Sequence, residues 1–254
     1  MIDIPKAKQE LNNYIQKQEI NNPHVARKLD HIIRVSKISR NLAEKLSLKE
    51  EQINLAELIG LLHDIGRFEQ YKKQETNEKF NHGEAGVKLL QKDQYIRAYM
   101  RENQYDEILL TAIYEHNRYE LDRGLSKEKE LFCKIIKDAD KIDLIYEGAY
   151  VYWQEKEEIQ QIENGKLSTQ MLEDFYQHKL ADIRKKVSKT DEIVQFTSFV
   201  FDINFPYSLQ VIKENNNINK MLDRFSYQIP ETKKEMGKVK EIVNQYLEKY
   251  SSQK

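Results

Sequence analysis

Apolar residues return at every third or fourth position through most of this chain. Leu29, Ile32 and Ile33 are followed by Leu42, Ala43 and Leu46, and Leu55, Ile59 and Leu62 repeat the spacing. This is the period of helices that bury one face and solvate the other. The pattern predicts helices over 5–19, 24–46, 50–65, 82–92, 104–117, 127–147, 168–187, 190–203, 206–215 and 230–250, with a further helix in part of 148–163. Asn81 followed by Glu84 suits a helix N-cap and its box partner. The polar stretches Phe68 to Phe80 and Arg118 to Lys129 are expected to be loops, and Asn164-Gly165 a break after the helix near Trp153. Beyond Lys213 the chain is rich in Asn and Lys. Ile242, Val243, Tyr246 and Leu247 nevertheless keep helical spacing, so this tail is expected to belong to the fold.

Composition supports an all-α protein. Only 8 Gly and 4 Pro occur in 254 residues, too few turn formers for a fold of many strands. That length suits one medium domain, or one domain with a helical extension. The balance of 41 basic and 42 acidic side chains leaves a net charge of −1, so no global field draws the chain to nucleic acid or an anionic membrane. No basic run is long enough to line a strand-tracking groove. The single cysteine, Cys133, excludes an internal disulfide and a cysteine zinc knuckle, and it is expected to be a packing residue. The first residues lack the apolar run of a signal peptide, and no window is long enough to span a bilayer. A soluble cytoplasmic protein is the expectation.

The candidate chemistry lies in polar residues on apolar stripes. His31 shares its helix face with Val35, Ile38 and Leu42; His63 lies above Ile59 and Ala56; His116 lies above Ile113, Ala112 and Leu109. Asp140 shares a face with Ile136 and Cys133, and His82 sits at a helix start from which it can reach a cleft. Taken singly, each has a plainer role: a hydrogen-bonded core histidine, or, for Asp140, an ion-pair partner of Lys137 or Lys141. Together they point to a cation, because buried aspartates such as Asp64 and Asp140 cost several kcal/mol unless paired or bound to one. Imidazole nitrogens and carboxylate oxygens without thiolate suit Mn, Fe, Co, Ni or Zn. Six ligands exceed one tetrahedral zinc and are enough for two ions bridged by a carboxylate.

The ordered set His31, His63-Asp64-Ile65-Gly66-Arg67 and Asp140 resembles the H…HD…D signature of the HD superfamily, and Leu61 to Arg67 looks like its HDIG variant. Lys137 to Asp143 is similar to the segment carrying the family's last aspartate. His82 and His116 match the two further histidines of the subset that holds two metals. The resemblance runs from about His24 to Tyr146. It implies one all-α domain over 1–254, with an HD helical bundle at about 24–146 and a helical extension at about 147–254 onto which no functional residue carries over.

The same resemblance implies that His31, His63, Asp64 and Asp140 surround one metal, and that Asp64 bridges to a second held also by His82 and His116. The implied cofactor is a divalent transition metal, as two ions. The implied activity is a metal-dependent phosphohydrolase, a phosphatase or phosphodiesterase, that attacks a nucleotide or other small phosphate ester with metal-activated hydroxide. Asp64 would orient the water, and Arg67, Lys141 and Lys28 would neutralise the phosphate. Gly66 would let the helix end turn sharply beside the site. Asn117 and Arg118 would line the pocket mouth, and Tyr114 and Tyr119 would offer faces to a base. The acidic pair of the guanosine tetraphosphate hydrolases and the Gly-Tyr-Pro feature of the cyclic-dinucleotide phosphodiesterases cannot be placed, which disfavours both substrates. The alternatives are an HD-type di-iron oxygenase, which uses the same ligands, and a non-catalytic nucleotide-binding module. Membrane and nucleic-acid partners are not expected.

Overall fold

Local sequence explains where the helices start and stop. In the computed structural model, which describes residues 2–18, 20, 22–73 and 80–251, regular structure is helical apart from one isolated bridge between Ile2 and Met100. The chain forms two compact units, 1–140 and 141–254.

The first unit opens with α1 (Ile4–Lys17), started by the Asp3 carboxylate, which accepts from the Lys6 backbone N–H at 3.0 Å, and by Pro5 in the first turn. α2 (His24–Lys45) and α3 (Glu50–Leu62) follow and supply much of the core. Ile32, Val35, Leu55, Leu58, Leu61 and Leu62 are fully buried, each contributing roughly 1.5–3 kcal/mol. Gly60 permits the close approach of these two helices: a Cβ there would lie 2.7 Å from Ser36 Cα. α4 (Ile65–Lys72), α5 (His82–Gln91) and α6 (Asp106–Glu115) come next. A long α7 (Lys127–Tyr150) carries the chain through Asp140 into the second unit.

The second unit contains α8 (Lys156–Glu163), α9 (Thr169–Tyr176), α10 (Thr190–Ser198), α11 (Pro206–Asn215), α12 (Asn217–Leu222) and α13 (Pro230–Tyr250). Asp191, wholly buried on α10, accepts from the backbone N–H groups of Ser168, Val187 and Ser188 at 2.8, 2.7 and 3.2 Å, which ties the start of α9 and the irregular chain before α10 to that helix. Arg224 donates to the carbonyls of Gly148 and Trp153 at 3.1 and 2.9 Å, closing the end of α7.

The all-α expectation holds, but several boundaries differ. The expected loop from Phe68 begins instead inside α4, because Ile65 and Phe68, one turn apart, are both fully buried and anchor a helix that also carries Arg67, Glu69, Gln70 and Lys72. Residues 74–79 of that stretch lie outside the described residues. The helix expected over 168–187 ends at Tyr176, and His178 adopts a left-handed φ of 53°. A short 3-10 segment at Lys92–Ala98 and the helix α12 lie where none was expected. No helix among the described residues is long and apolar enough to cross a membrane.

Candidate metal centre

Three helices and three helix ends of the first unit bring the six candidate ligands together. His31 comes from the buried face of α2, His63 caps the C-terminus of α3, and Asp64 precedes α4. His82 opens α5, His116 closes α6 and Asp140 lies on α7. His31, His63, Asp64, His82 and His116 are all buried.

The two oxygens of Asp64 face different partners. Oδ2 lies 3.7 Å from His31 Nε2 and 3.5 Å from His63 Nε2, and these three ligand atoms fall within 4.8 Å of one another. Asp140 Oδ1 completes that side, 3.2 Å from His31 Nε2 and 3.8 Å from His63 Nε2. On the other side, Oδ1 lies 3.3 Å from His82 Nε2 and 3.7 Å from His116 Nε2, a second group within 4.8 Å.

The ring nitrogens are oriented by the helices themselves. His63 Nδ1 donates to the Gly60 carbonyl at 2.8 Å and His116 Nδ1 to the Ile113 carbonyl at 2.6 Å. A carbonyl only accepts, so Nδ1 carries the hydrogen in both rings and the Nε2 lone pairs point inward, as metal ligation requires.

Burial pushes the His63 ring down to about 4, although Asp64 and Asp140 oppose it, and burial also lowers His82 well below the usual histidine value. These rings are therefore neutral donors at neutral pH. For Asp64, burial alone would raise the carboxyl, but the Lys28 ammonium, with His63, His116 and His82, outweighs it and holds the group well below the ordinary carboxylate range. Asp140 is likewise lowered against its burial by His31 and His63.

The donor set fits a divalent transition cation. Asp64 Oδ1 is buried with no hydrogen-bond partner, an arrangement whose cost a cation removes, and the Nε2 atoms of His82 and His116 lie 3.3 and 3.7 Å from it. With only nitrogen and oxygen donors, the set is of the Mn, Fe, Co, Ni or Zn type. Cys133 is buried and its thiol is pushed up to about 12, as for a packing residue.

Three basic residues were expected to meet the phosphate. Lys28 Nζ donates to Asp64 Oδ2 at 2.7 Å. Arg67 Nε lies 3.7 Å from Asp64 Oδ1, and its NH1 donates to Gln70 at 2.9 Å. Lys141 Nζ is paired with Asp202 at 2.7 Å in the second unit, and Lys137 Nζ donates to the Arg118 carbonyl at 2.7 Å.

Gly66 does a different job from the one expected: no glycine among the described residues has a positive φ. It serves close packing of α4 on α5, because a Cβ there would lie 2.1 Å from the His82 carbonyl oxygen. Sequence reasoning placed Asn117 only at the pocket mouth. It also contacts His82, its Nδ2 lying 3.3 Å from His82 Nδ1 and 3.1 Å from Asn81 Oδ1. Its sole sequence signal was its position directly after His116.

The chain matches no curated protein and no solved structure. Residues 29–145 match the family model of the HD domain; this segment contains all six candidate ligands, and the match supports a metal-dependent hydrolase in general terms.

Proposed function

We propose that this protein is a metal-dependent phosphohydrolase of the HD superfamily, in its HDIG-type, six-ligand, two-ion subset, acting on a small phosphate ester and by preference a nucleotide. The observation that carries this reading is the division of Asp64, with Oδ2 toward His31 and His63 and Oδ1 toward His82 and His116. His31, His63, Asp64 and Asp140 would hold one divalent ion, and Asp64, His82 and His116 a second. A bound pair of this kind supplies Lewis-acid polarisation of phosphoryl oxygens and lowers the pKa of a water.

The chain's own residues supply the rest. Asp64, kept anionic, accepts a hydrogen bond from the attacking water and orients it; its low basicity makes it an orienting group more than a store for the proton. Lys28 and Arg67 place an ammonium and a guanidinium at the two Asp64 oxygens, where an incoming phosphate gathers negative charge. Lys141 is engaged by Asp202, so Lys28 and Arg67 are the cations assigned here. A nucleotide is favoured because exposed Tyr119 and the Arg118 guanidinium, 5.3 Å over the Tyr114 ring, follow directly on His116.

The test is hydrolysis of a generic phosphodiester and a generic phosphomonoester under nitrogen with added Mn, comparing wild type with Asp64→Asn. Turnover by the wild type and its loss in the variant are expected. No turnover of either ester by metal-loaded protein, together with oxygen consumption by the iron-loaded form, would replace this reading with the di-iron oxygenase.

A further inference from the structure

A hydrogen-bonded chain runs from Asn81 through Asn117 and His82 to His116, and its polarity is set at both ends. At one end, Asn81 Oδ1 accepts from the Glu84 backbone N–H at 3.1 Å, which fixes that atom as oxygen. The Asn117 atom 3.1 Å from it is therefore the amide nitrogen Nδ2, and the same Nδ2 lies 3.3 Å from His82 Nδ1. So Asn117 donates, and His82 Nδ1 accepts. In the neutral ring the hydrogen then sits on Nε2. At the other end, His116 Nδ1 donates to the Ile113 carbonyl, which leaves His116 Nε2 as an acceptor. His82 Nε2 lies 3.0 Å from it, in place to donate. Every link agrees with the same assignment.

This chain places a hydrogen on the very nitrogen that a cation beside Asp64 Oδ1 would need as a lone pair. On the opposite side His63 Nδ1 carries its hydrogen to the Gly60 carbonyl, so His63 keeps Nε2 bare, and His31 Nε2 lies 3.3 Å from it. We infer that Asn117 is a positioning residue that latches His82 in the tautomer closed to a cation, so that the His82–His116 side fills only when the Asn117 amide turns over. The inference rests on the reading above that His82 and His116 hold the second ion.

In the turned state Asn117 Oδ1 accepts from His82 Nδ1–H. The His82 Nε2–H bond breaks, the Nδ1–H bond forms, solvent carries the proton, and no net charge changes. The bond from Asn117 to Asn81 is given up, while Asn81 keeps its bond from Glu84. Gly83 leaves the room for this movement: a Cβ there would lie 3.1 Å from Asn117 Oδ1. The second ion thus meets a latched ligand.

Asn117→Asp tests the latch, because a carboxylate only accepts and forces the hydrogen of His82 onto Nδ1. The first readout needs no metal. In nitrogen-15 spectra of the chelator-treated protein, with the His82 signals assigned by their loss in His82→Gln, the wild type is expected to show the Nε2–H tautomer and Asn117→Asp the Nδ1–H tautomer. The second readout is calorimetric titration with Mn. Asn117→Asp is expected to tighten the second Mn by 10- to 100-fold, in the range that outer partners of metal-bound histidines command, and to leave the first unchanged.

A wild-type His82 already protonated on Nδ1 without metal would overturn the latch, whatever the variant's behaviour. Equal tightening of both Mn ions would also overturn it, since that is what added negative charge alone would do. Binding of one Mn only to both proteins, with the tautomers as expected, would instead sink the two-ion reading on which the latch's role depends.

Discussion

Lys28 Nζ donates to Asp64 Oδ2 at 2.7 Å, on the side of the carboxylate that faces His31 and His63. The ammonium therefore neutralises the same oxygen that the first ion would bind. Lys28→Met removes that competitor together with a phosphate-binding cation. Turnover of a phosphate ester should fall on the order of 10- to 100-fold, with Mn affinity at the first site retained or increased. Parallel steady-state kinetics and Mn titration check this, and a variant that loses Mn along with activity would show Lys28 to be a structural support instead.

The buried rings make the metal-free fold sensitive to acid. His63 titrates at about 4 in the fold against 6.5 for an ordinary histidine, and His82 is shifted the same way. Because the unfolded chain takes up these protons first, stability is fully present above pH 6.5 and declines as the pH falls toward 4. The slope is at most about 1.4 kcal/mol per pH unit per ring. Asp64 and Asp140, depressed below 3.8, add their loss only at still lower pH. Urea midpoints of the chelator-treated protein should drop between pH 7 and pH 5, and less so in His63→Gln. A midpoint that is flat or rises over that interval would contradict the burial argument.

Glycine positions separate packing from helix propensity. At Gly66 a new Cβ would meet backbone, 2.1 Å from the His82 carbonyl oxygen, so Gly66→Ala should destabilise by roughly 1–3 kcal/mol and weaken metal binding through His82. At Gly237, within α13, a Cβ would meet nothing within 4 Å, so Gly237→Ala should stabilise by about 0.5–1 kcal/mol. Urea unfolding of the two variants beside wild type provides the comparison.

Helical spacing brought out the candidate centre where the ligands lie on long apolar stripes. His31 and His116 share faces with fully buried residues, and the His63-Asp64 pair closes a helix that is buried along most of its length. Helix ends were less legible, because tertiary contacts decide them. α4 carries Arg67, Glu69, Gln70 and Lys72 around only two fully buried apolar side chains, Ile65 and Phe68, so its composition reads as a loop. The left-handed turn at His178 and the short α12 carry no strong sequence signal, lacking Gly and Pro. Asn117 was visible only as a neighbour of His116, since its contact with His82 joins residues 35 apart in sequence. The chemistry expected of Gly66 was a turn, whereas the constraint is the approach of the α5 backbone, which periodicity does not encode.

The account stands on Asp64 serving two cations at once, and metal stoichiometry reads that directly. Protein loaded with excess Mn under nitrogen and freed of unbound metal should hold two Mn per chain with the paramagnetic resonance of a coupled pair. Asp64→Asn should hold at most one, with the coupled signal gone. A wild type that binds a single Mn, or an Asp64→Asn variant that keeps two coupled ions, would contradict the account.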